Sequence, residues 1–388
     1  VTWELDPTNV GTGLPLEGVR VLDLSRVLAG PLCAMVAGDL GADVIKVESP
    51  EGDPVRSLGP PYFAHDATYY LSVNRHRRNV VADLRNDEDF RRVGELVKVA
   101  DAVIENYLPH QYHSLGIERL RALNPECVWV SITPATEGGP LADLPSFDLL
   151  AQARSGLMGV TGEPEGVPSK VGAPIADVVT GLYGAVGLVS GLYARAIGRG
   201  GQRYEAPLLE SAMSALINQA QGYLSTSVNP QRLGNDHPSI APYGPMKTSD
   251  GYLLLAVGTD AQYQSLVNLL GDPVLSEKKE WATNASRVMA RAAVSEALAP
   301  FFLTQTTDTW LAVLERAGIP CAPILDVAGA FAQDQITQGD FVGVMETSGG
   351  ETRAMRTPLR IDGVRPAIRR GPRAIGADTD ELLRSEAD

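Results

Sequence analysis

The chain has 388 residues and a formal net charge of −14, from 33 Lys and Arg against 47 Asp and Glu. Nucleic-acid binding needs a basic face, so this acidity argues against nucleic acid as the main partner. Hydrophobic residues make up 44% and charged residues 21%, the composition of an ordinary globular protein, and the length favours two domains over one core.

Cys33, Cys127 and Cys321 are far apart and odd in number. They show neither zinc spacing nor a disulfide framework, which fits a reducing cytoplasm. The start, Val1–Asp6, lacks a basic stretch followed by an apolar core, so no signal peptide is expected. Val178–Ala194 is the membrane candidate, but it is short and interrupted by Thr180 and Ser190. A buried helix and no membrane contact are expected.

In chain order, residues 1–16 read as a loop-like lead-in, where Gly11-Thr-Gly13 does not complete a dinucleotide fingerprint. Val19–Leu24 is β-rich with apolar neighbours and suits a buried strand. Gly30-Pro31 opens a helix whose apolar face is expected from Leu32, Met35, Val36 and Leu40, and Gly41 ends it. Ala42–Glu48 supplies a second strand, and this βαβ start predicts a parallel α/β sheet. Asn79–Leu84, Ala102–Glu105 and Cys127–Ile132 continue as strands, with helices over Asp87–Ala100 and Ile117–Leu123. Ligands bind beyond the ends of such strands, yet without a complete phosphate loop the pattern names no cofactor.

Asp177 follows a short loop and precedes an uncharged run, Val178–Ala194, in which Gly181, Gly184, Gly187 and Gly191 stand three or four apart. This spacing predicts a helix with its glycines along one stripe, open to close approach by another backbone. A carboxylate at the mouth of such a helix meets unpaired N–H groups and the positive end of the dipole. It is expected to stay ionised at neutral pH, as a nucleophile or base must. Asp is equally a favoured N-cap, and the local pattern leaves both readings open.

Arg199-Gly-Gly201 then turns the chain into a short strand and a helix around Leu208–Leu216. Beyond about residue 225 the character changes. Pro238–Pro245 is a Pro- and Gly-punctuated loop, Met246–Val257 reads as a hairpin, and Thr259-Asp-Ala-Gln262 has capping-box spacing ahead of a helix. The expected architecture is α/β, with a large domain from residues 1–224 and 331–388 and a smaller α+β domain over 225–330.

Several stretches, in order and over nearly the whole chain, resemble family III (CaiB/BaiF-type) CoA-transferases, the group that includes formyl-CoA and carnitine CoA-transferases. They are Pro15–Pro31, Leu40–Glu48, Gly52-Asp-Pro-Val-Arg56, Asn74–Arg78 and Ile104–Tyr107. Ser146–Gln152 with Gly156-Leu-Met158, Gly234-Asn-Asp-His-Pro238, and Ala317–Pro323 complete the set. The resemblance implies a Rossmann-like large domain built from both chain ends and an interlocked homodimer. It also implies coenzyme A and acyl-CoA as substrates, with no tightly bound cofactor and no metal.

The family's nucleophilic aspartate falls at Asp177. By this resemblance its carboxylate attacks a donor thioester to form a mixed anhydride, and CoA thiolate then converts it to an aspartyl-CoA thioester. Val27, Leu28 and Ala29 match the segment lining the thioester; formyl-CoA enzymes have glutamine where Leu28 stands, so backbone N–H groups are left to serve. Asp148 matches an acidic residue near the nucleophile, with a structural hydrogen-bonding role equally open. Gly234 and His237 fall in the family's mobile active-site loop, and His237 reads as an acid, a substrate contact or a turn residue. Leu84, Arg85, Asn106 and Tyr107 fall at CoA-binding positions, and a family arginine falls at Ser114. Arg75, Arg77 and Arg78 are candidate replacements for it, although a basic run is usually a solvated face. Arg26, beside the lining segment, would suit a dicarboxylate substrate or a structural ion pair.

Two other functions compete. An α-methylacyl-CoA racemase shares the fold, but its catalytic histidine falls at Phe147, which cannot take up a proton. A non-catalytic CoA-binding protein would have no need of Asp177 and its loop.

Overall fold

The computed structural model describes residues 3–383. Six strands form a parallel sheet: β1 (Arg20–Asp23), β2 (Asp43–Glu48), β3 (Arg77–Val81), β4 (Ala102–Glu105), β5 (Val128–Thr133) and β6 (Arg203–Pro207). Their order is β3-β2-β1-β4-β5-β6, with Val21 in register with Val44 on one side and Ala102 on the other. The first three strands wind outwards one way and the next three the other. The switch therefore falls between β1 and β4, where open α/β sheets bind ligands.

Both sheet faces are covered, which is why these strands are apolar without strict alternation. Leu22, Ile45, Val103 and Trp129 face one core layer with Val93 and Leu96 of helix α2 (Asp87–Val99). Val21, Val44, Ile104 and Val130 face the other, against helix α1 (Ala29–Asp39) and the long helix α4 (Ile175–Ala196). The shorter α3 (Asp148–Arg154) and α5 (Leu208–Ser214) flank α4. Strand β3 starts two residues before the expected Asn79 and stops at Val81, which leaves Leu84 in the turn behind it.

Helix α1 departs from expectation. Of the expected face Met35 is buried and Val36 and Leu40 pack half-buried against the core, but the side chains that enter the core are the small Cys33, Ala34 and Ala37, and Leu32 is half-buried. Small residues are needed because α4 crosses closely. A Cβ on Gly181 would lie 2.7 Å from the Ala29 carbonyl oxygen, and one on Gly191 would lie 2.5 Å from a Val128 methyl. The glycine stripe thus lies along α4 where the sheet and α1 approach. The buried helix expected from sequence is covered on one side only. Ala176, Thr180, Leu188 and Ala194 are covered, while Leu182, Tyr183, Val186, Val189 and Tyr193 are exposed. By length and composition α4 could cross a membrane, but here it packs on a sheet. Gly191→Leu is expected to destabilise this unit by about 2 kcal/mol, overpacking outweighing the better helix propensity; chemical denaturation of the variant measures it.

The chain forms two compact units. One runs to Leu157 and includes Lys170–Val228 and the residues from Asp334 on; the other comprises Met158–Ser169 and Asn229–Gln333. Residues 158–169 thus lie outside the large unit in which the sequence placed them. The Arg232 guanidinium gathers this segment by donating to the carbonyls of Glu163, Pro164 and Gly166, and the Gly234 N–H donates to Gly162. The second unit holds an antiparallel sheet of β7 (Tyr243–Lys247), β8 (Tyr252–Ala256) and β9 (Cys321–Pro323). The capping box of helix α6 (Asp260–Leu270) is formed, with the Gln262 N–H 3.2 Å from Thr259 Oγ1 and the Thr259 N–H 3.1 Å from Gln262 Oε1. In the first unit the C-terminal segment returns to β3, where the Asn79 N–H donates to the Asp378 carboxylate at 2.7 Å.

Candidate active site

The loop between β1 and α1 carries the first group of candidates. Asn106, just past β4, holds Arg26 by both backbone groups: its Oδ1 accepts the Arg26 N–H at 3.0 Å and its Nδ2 donates to the Arg26 carbonyl at 2.8 Å. The Arg26 guanidinium lies 5.5 Å from the centre of the Tyr107 ring, and no carboxylate among the described residues pairs with it. The next residue, Val27, sits at φ +71°, a left-handed conformation that a β-branched residue adopts only under constraint. Leu28 then precedes the first turn of α1 without a capping side chain. The N–H groups of Leu28, Ala29 and Gly30 have no acceptor among the described residues. Such a row of free donors suits an oxyanion.

Asp177 lies in the first turn of α4, two residues past Ile175, and the position before the helix is Pro174. The N-cap reading is therefore corrected: Asp148 supplies the cap from another helix. Its Oδ1 accepts the Ala176 N–H at 2.8 Å and the Asp177 N–H at 3.4 Å. Its other oxygen accepts from Gln152 Nε2 at 2.6 Å, and Gln152 Oε1 accepts the Val171 N–H at 2.9 Å. Together α3 side chains fix both ends of the loop that delivers the nucleophile candidate.

The expected full ionisation of Asp177 is corrected as well. Burial pushes its carboxyl up to about 7, and the neighbouring Asp148 charge adds to the rise. The half-buried Tyr69 phenol shares this neighbourhood; burial, then Asp177, Asp148 and Asp53, raise it to about 12. It remains a neutral hydroxyl donor beside three carboxylates. Sequence reading missed Tyr69 because nothing in the Thr68–Val73 helix marks it; Gln152 was passed over as one residue of a matching stretch.

The remaining candidates lie elsewhere. Arg75, Arg77 and Arg78 are neither a solvated face nor free for phosphate. Arg75 grips Asp39 at 2.6 Å, Arg78 grips Asp43 at 2.7 Å, and Arg77 reaches Asp23 at 3.5 Å, all of them buried. Leu84 and Tyr107 pack against the core layer of Leu22 and Trp129, and Arg85 is exposed, with Asp83, 2.8 Å away, its ion-pair partner among the described residues. Ser114 and Phe147 are exposed. Gly234 and His237 belong to the second unit. There Gly234 has φ +61°, His237 Nδ1 accepts the Ser239 N–H at 3.0 Å, and its ring tilts against Tyr243. These are the contacts of a turn residue. Among the described residues no cluster of His, Cys, Asp and Glu is arranged to hold a metal.

A doubly wound parallel sheet and a strongly perturbed carboxylate in the same unit are the features of an α/β enzyme. The chain belongs to CoA-transferase family III, which matches residues 16–379. It is 38% identical to a succinate–glutarate CoA-transferase of Agrobacterium fabrum over 355 residues, covering 89% of each chain. The human succinyl-CoA:glutarate CoA-transferase is 34% identical over 374 residues, 95% of this chain and 85% of that one. A crystal structure of a CaiB/BaiF family protein from Brucella suis superposes with a TM-score of 0.84 at 37% identity, covering 96% of this chain and 100% of that one.

Proposed function

We propose that this enzyme moves CoA from succinyl-CoA to a second dicarboxylic acid, with Asp177 as the covalent carrier. The observation that carries the reading is the Asp177 carboxylate itself. It is presented on a first helical turn, held by Asp148 at its backbone and raised by burial into a range where it is partly ionised at neutral pH. An ionised Asp177 oxygen attacks the thioester carbonyl; the C–S bond breaks and CoA thiolate leaves, giving an aspartyl–succinyl anhydride. The thiolate then attacks the aspartyl carbonyl and succinate departs, leaving aspartyl-CoA. The acceptor carboxylate attacks in turn to form a second anhydride with thiolate released, and the thiolate takes its acyl group, which frees Asp177. Leu28 offers no side-chain donor, so the N–H groups of Leu28 and Ala29 are assigned to the developing oxyanion.

The choice of acids rests on relatives named for succinyl-CoA with glutarate, and on another from Haloarcula hispanica named for mesaconate. Arg26 is assigned to CoA rather than to the distal carboxylate. It lies over Tyr107, and no arginine figures among the influences on Asp177. Asn106, Tyr107, Leu84 and Arg85 complete the proposed CoA side. The proposed assembly is an interlocked homodimer, and the exposed apolar face of α4 supports a covering partner.

Peptide mass spectrometry after incubation with succinyl-CoA or acetyl-CoA tests the reading. A CoA-sized adduct on the Asp177 peptide with succinyl-CoA, absent in Asp177→Ala, is the expected result. Exchange of the α-proton of a branched acyl-CoA without any adduct would replace it with the racemase reading.

A further inference from the structure

Three successive residues of the β1–α1 loop, Ser25, Arg26 and Val27, are held at their backbone by side chains from elsewhere in the fold. Lys46 of β2 donates from Nζ to the Ser25 carbonyl at 2.9 Å. Asn106 takes both backbone groups of Arg26. The Val27 N–H points between the two oxygens of Asp53, at 3.2 and 3.3 Å. Asp53 is itself fixed: Lys46 Nζ lies 2.9 Å from its carboxylate, and its Oδ1 also accepts the Val55 N–H at 3.1 Å. The side chains of Lys46 and Asp53 are 1% and 0% exposed, so this pair is shielded from solvent screening and geometrically stiff.

Val27 is the residue that needs such a hold. Its φ of +71° is unfavourable for a β-branched side chain, and a free loop would relax to the extended region. Relaxation would rotate the peptide planes that follow and turn the N–H groups of Leu28 and Ala29 away from where they now point. The neighbouring packing leaves no room for compensation, since the Ala29 carbonyl lies hard against Gly181 of the helix that bears Asp177. Tyr69, which feels both Asp53 and Asp177, places the two carboxylates in one neighbourhood.

We infer that the buried Asp53–Lys46 pair is a positioning device for catalysis, holding Val27 in its left-handed conformation so that the Leu28 and Ala29 donors face the reacting carbonyl. This rests on the proposed role of those donors. Asp53 touches no substrate in this scheme; it acts through Val27.

The test is a double-mutant cycle of Asp53→Asn and Val27→Gly, with kcat and KM for transfer from succinyl-CoA and hydrogen exchange of the 25–30 peptide. Asparagine keeps one acceptor but loses the ion pair. Asp53→Asn is expected to lower kcat by about 30-fold with KM for succinyl-CoA within about 2-fold, while exchange at residue 27 speeds up. Glycine adopts positive φ without strain, so adding Val27→Gly should restore about 10-fold of the lost kcat. A purely structural role for Asp53 would give losses that multiply in the double variant, and that result overturns the proposal. So does unchanged exchange of the loop in Asp53→Asn. If the wild-type enzyme transfers no CoA, the function proposed above fails, and the exchange measurement still decides whether Asp53 holds Val27.

Discussion

Asp177→Ala is expected to lower kcat for CoA transfer by about 10⁴-fold or more, with the succinyl-CoA KM little changed. The loss is large because the proposed route passes through two covalent intermediates on this one oxygen pair. Direct attack of a carboxylate on the thioester would also forgo the site's fixed donors. Asp177→Glu tests position rather than chemistry. Its extra methylene displaces the carboxylate from a turn packed against α1, and a loss of about 10²-fold is expected.

The same carboxylate carries a stability cost. Its folded-state value, about 7, lies above the ordinary 3.8. For a raised carboxyl the favourable contribution is complete below about pH 4 and disappears as pH rises through about 7. Asp177→Asn, uncharged throughout, is therefore expected to melt about 3 °C above wild type at pH 8, with a narrower gap at pH 5 that closes only below about pH 4. Differential scanning calorimetry at the two pH values checks it. An inactive variant more stable than its parent is the mark of a charge kept for chemistry.

Much of this arrangement was legible in the sequence. Buried parallel strands announce themselves as apolar runs, so β1, β2, β4 and β5 were found to within a residue or two. The glycine spacing of α4 showed a close approach before its partners, Ala29 and Val128, could be named. What stayed hidden depends on partners distant along the chain. Arg75 and Arg78 look like any basic run, because the carboxylates that bury them lie 36 and 35 residues away. The segment 158–169 carries no local sign of its unit, since Arg232, 69 residues beyond Glu163, decides it. Tyr69 and Asp53 matter only through space. The ionisation of Asp177 was misjudged because dipole and cap were visible in one dimension, whereas burial and a second carboxylate are not.

That second carboxylate sets a distinct expectation. If ionised Asp177 is the nucleophile, kcat/KM should fall about tenfold per pH unit below a midpoint near 7. Asp148→Asn removes the like charge while keeping an oxygen for the Ala176 N–H, so the acid limb should move down by about one unit. It should not return to the ordinary carboxylate range, because burial, the larger cause, remains. Asp148→Ala is a different experiment. It strips the cap from the Ala176 and Asp177 N–H groups and releases Gln152, which holds the Val171 end of the loop. Here kcat should fall by about 10²- to 10³-fold across the whole pH range, since a misdirected nucleophile is not cured by ionising it. The two variants separate the jobs of one side chain: charge moves the midpoint, hydrogen bonding sets the plateau. An Asn variant with an unmoved limb would mean that burial alone holds Asp177 near neutrality, leaving Asp148 as the cap of its helix.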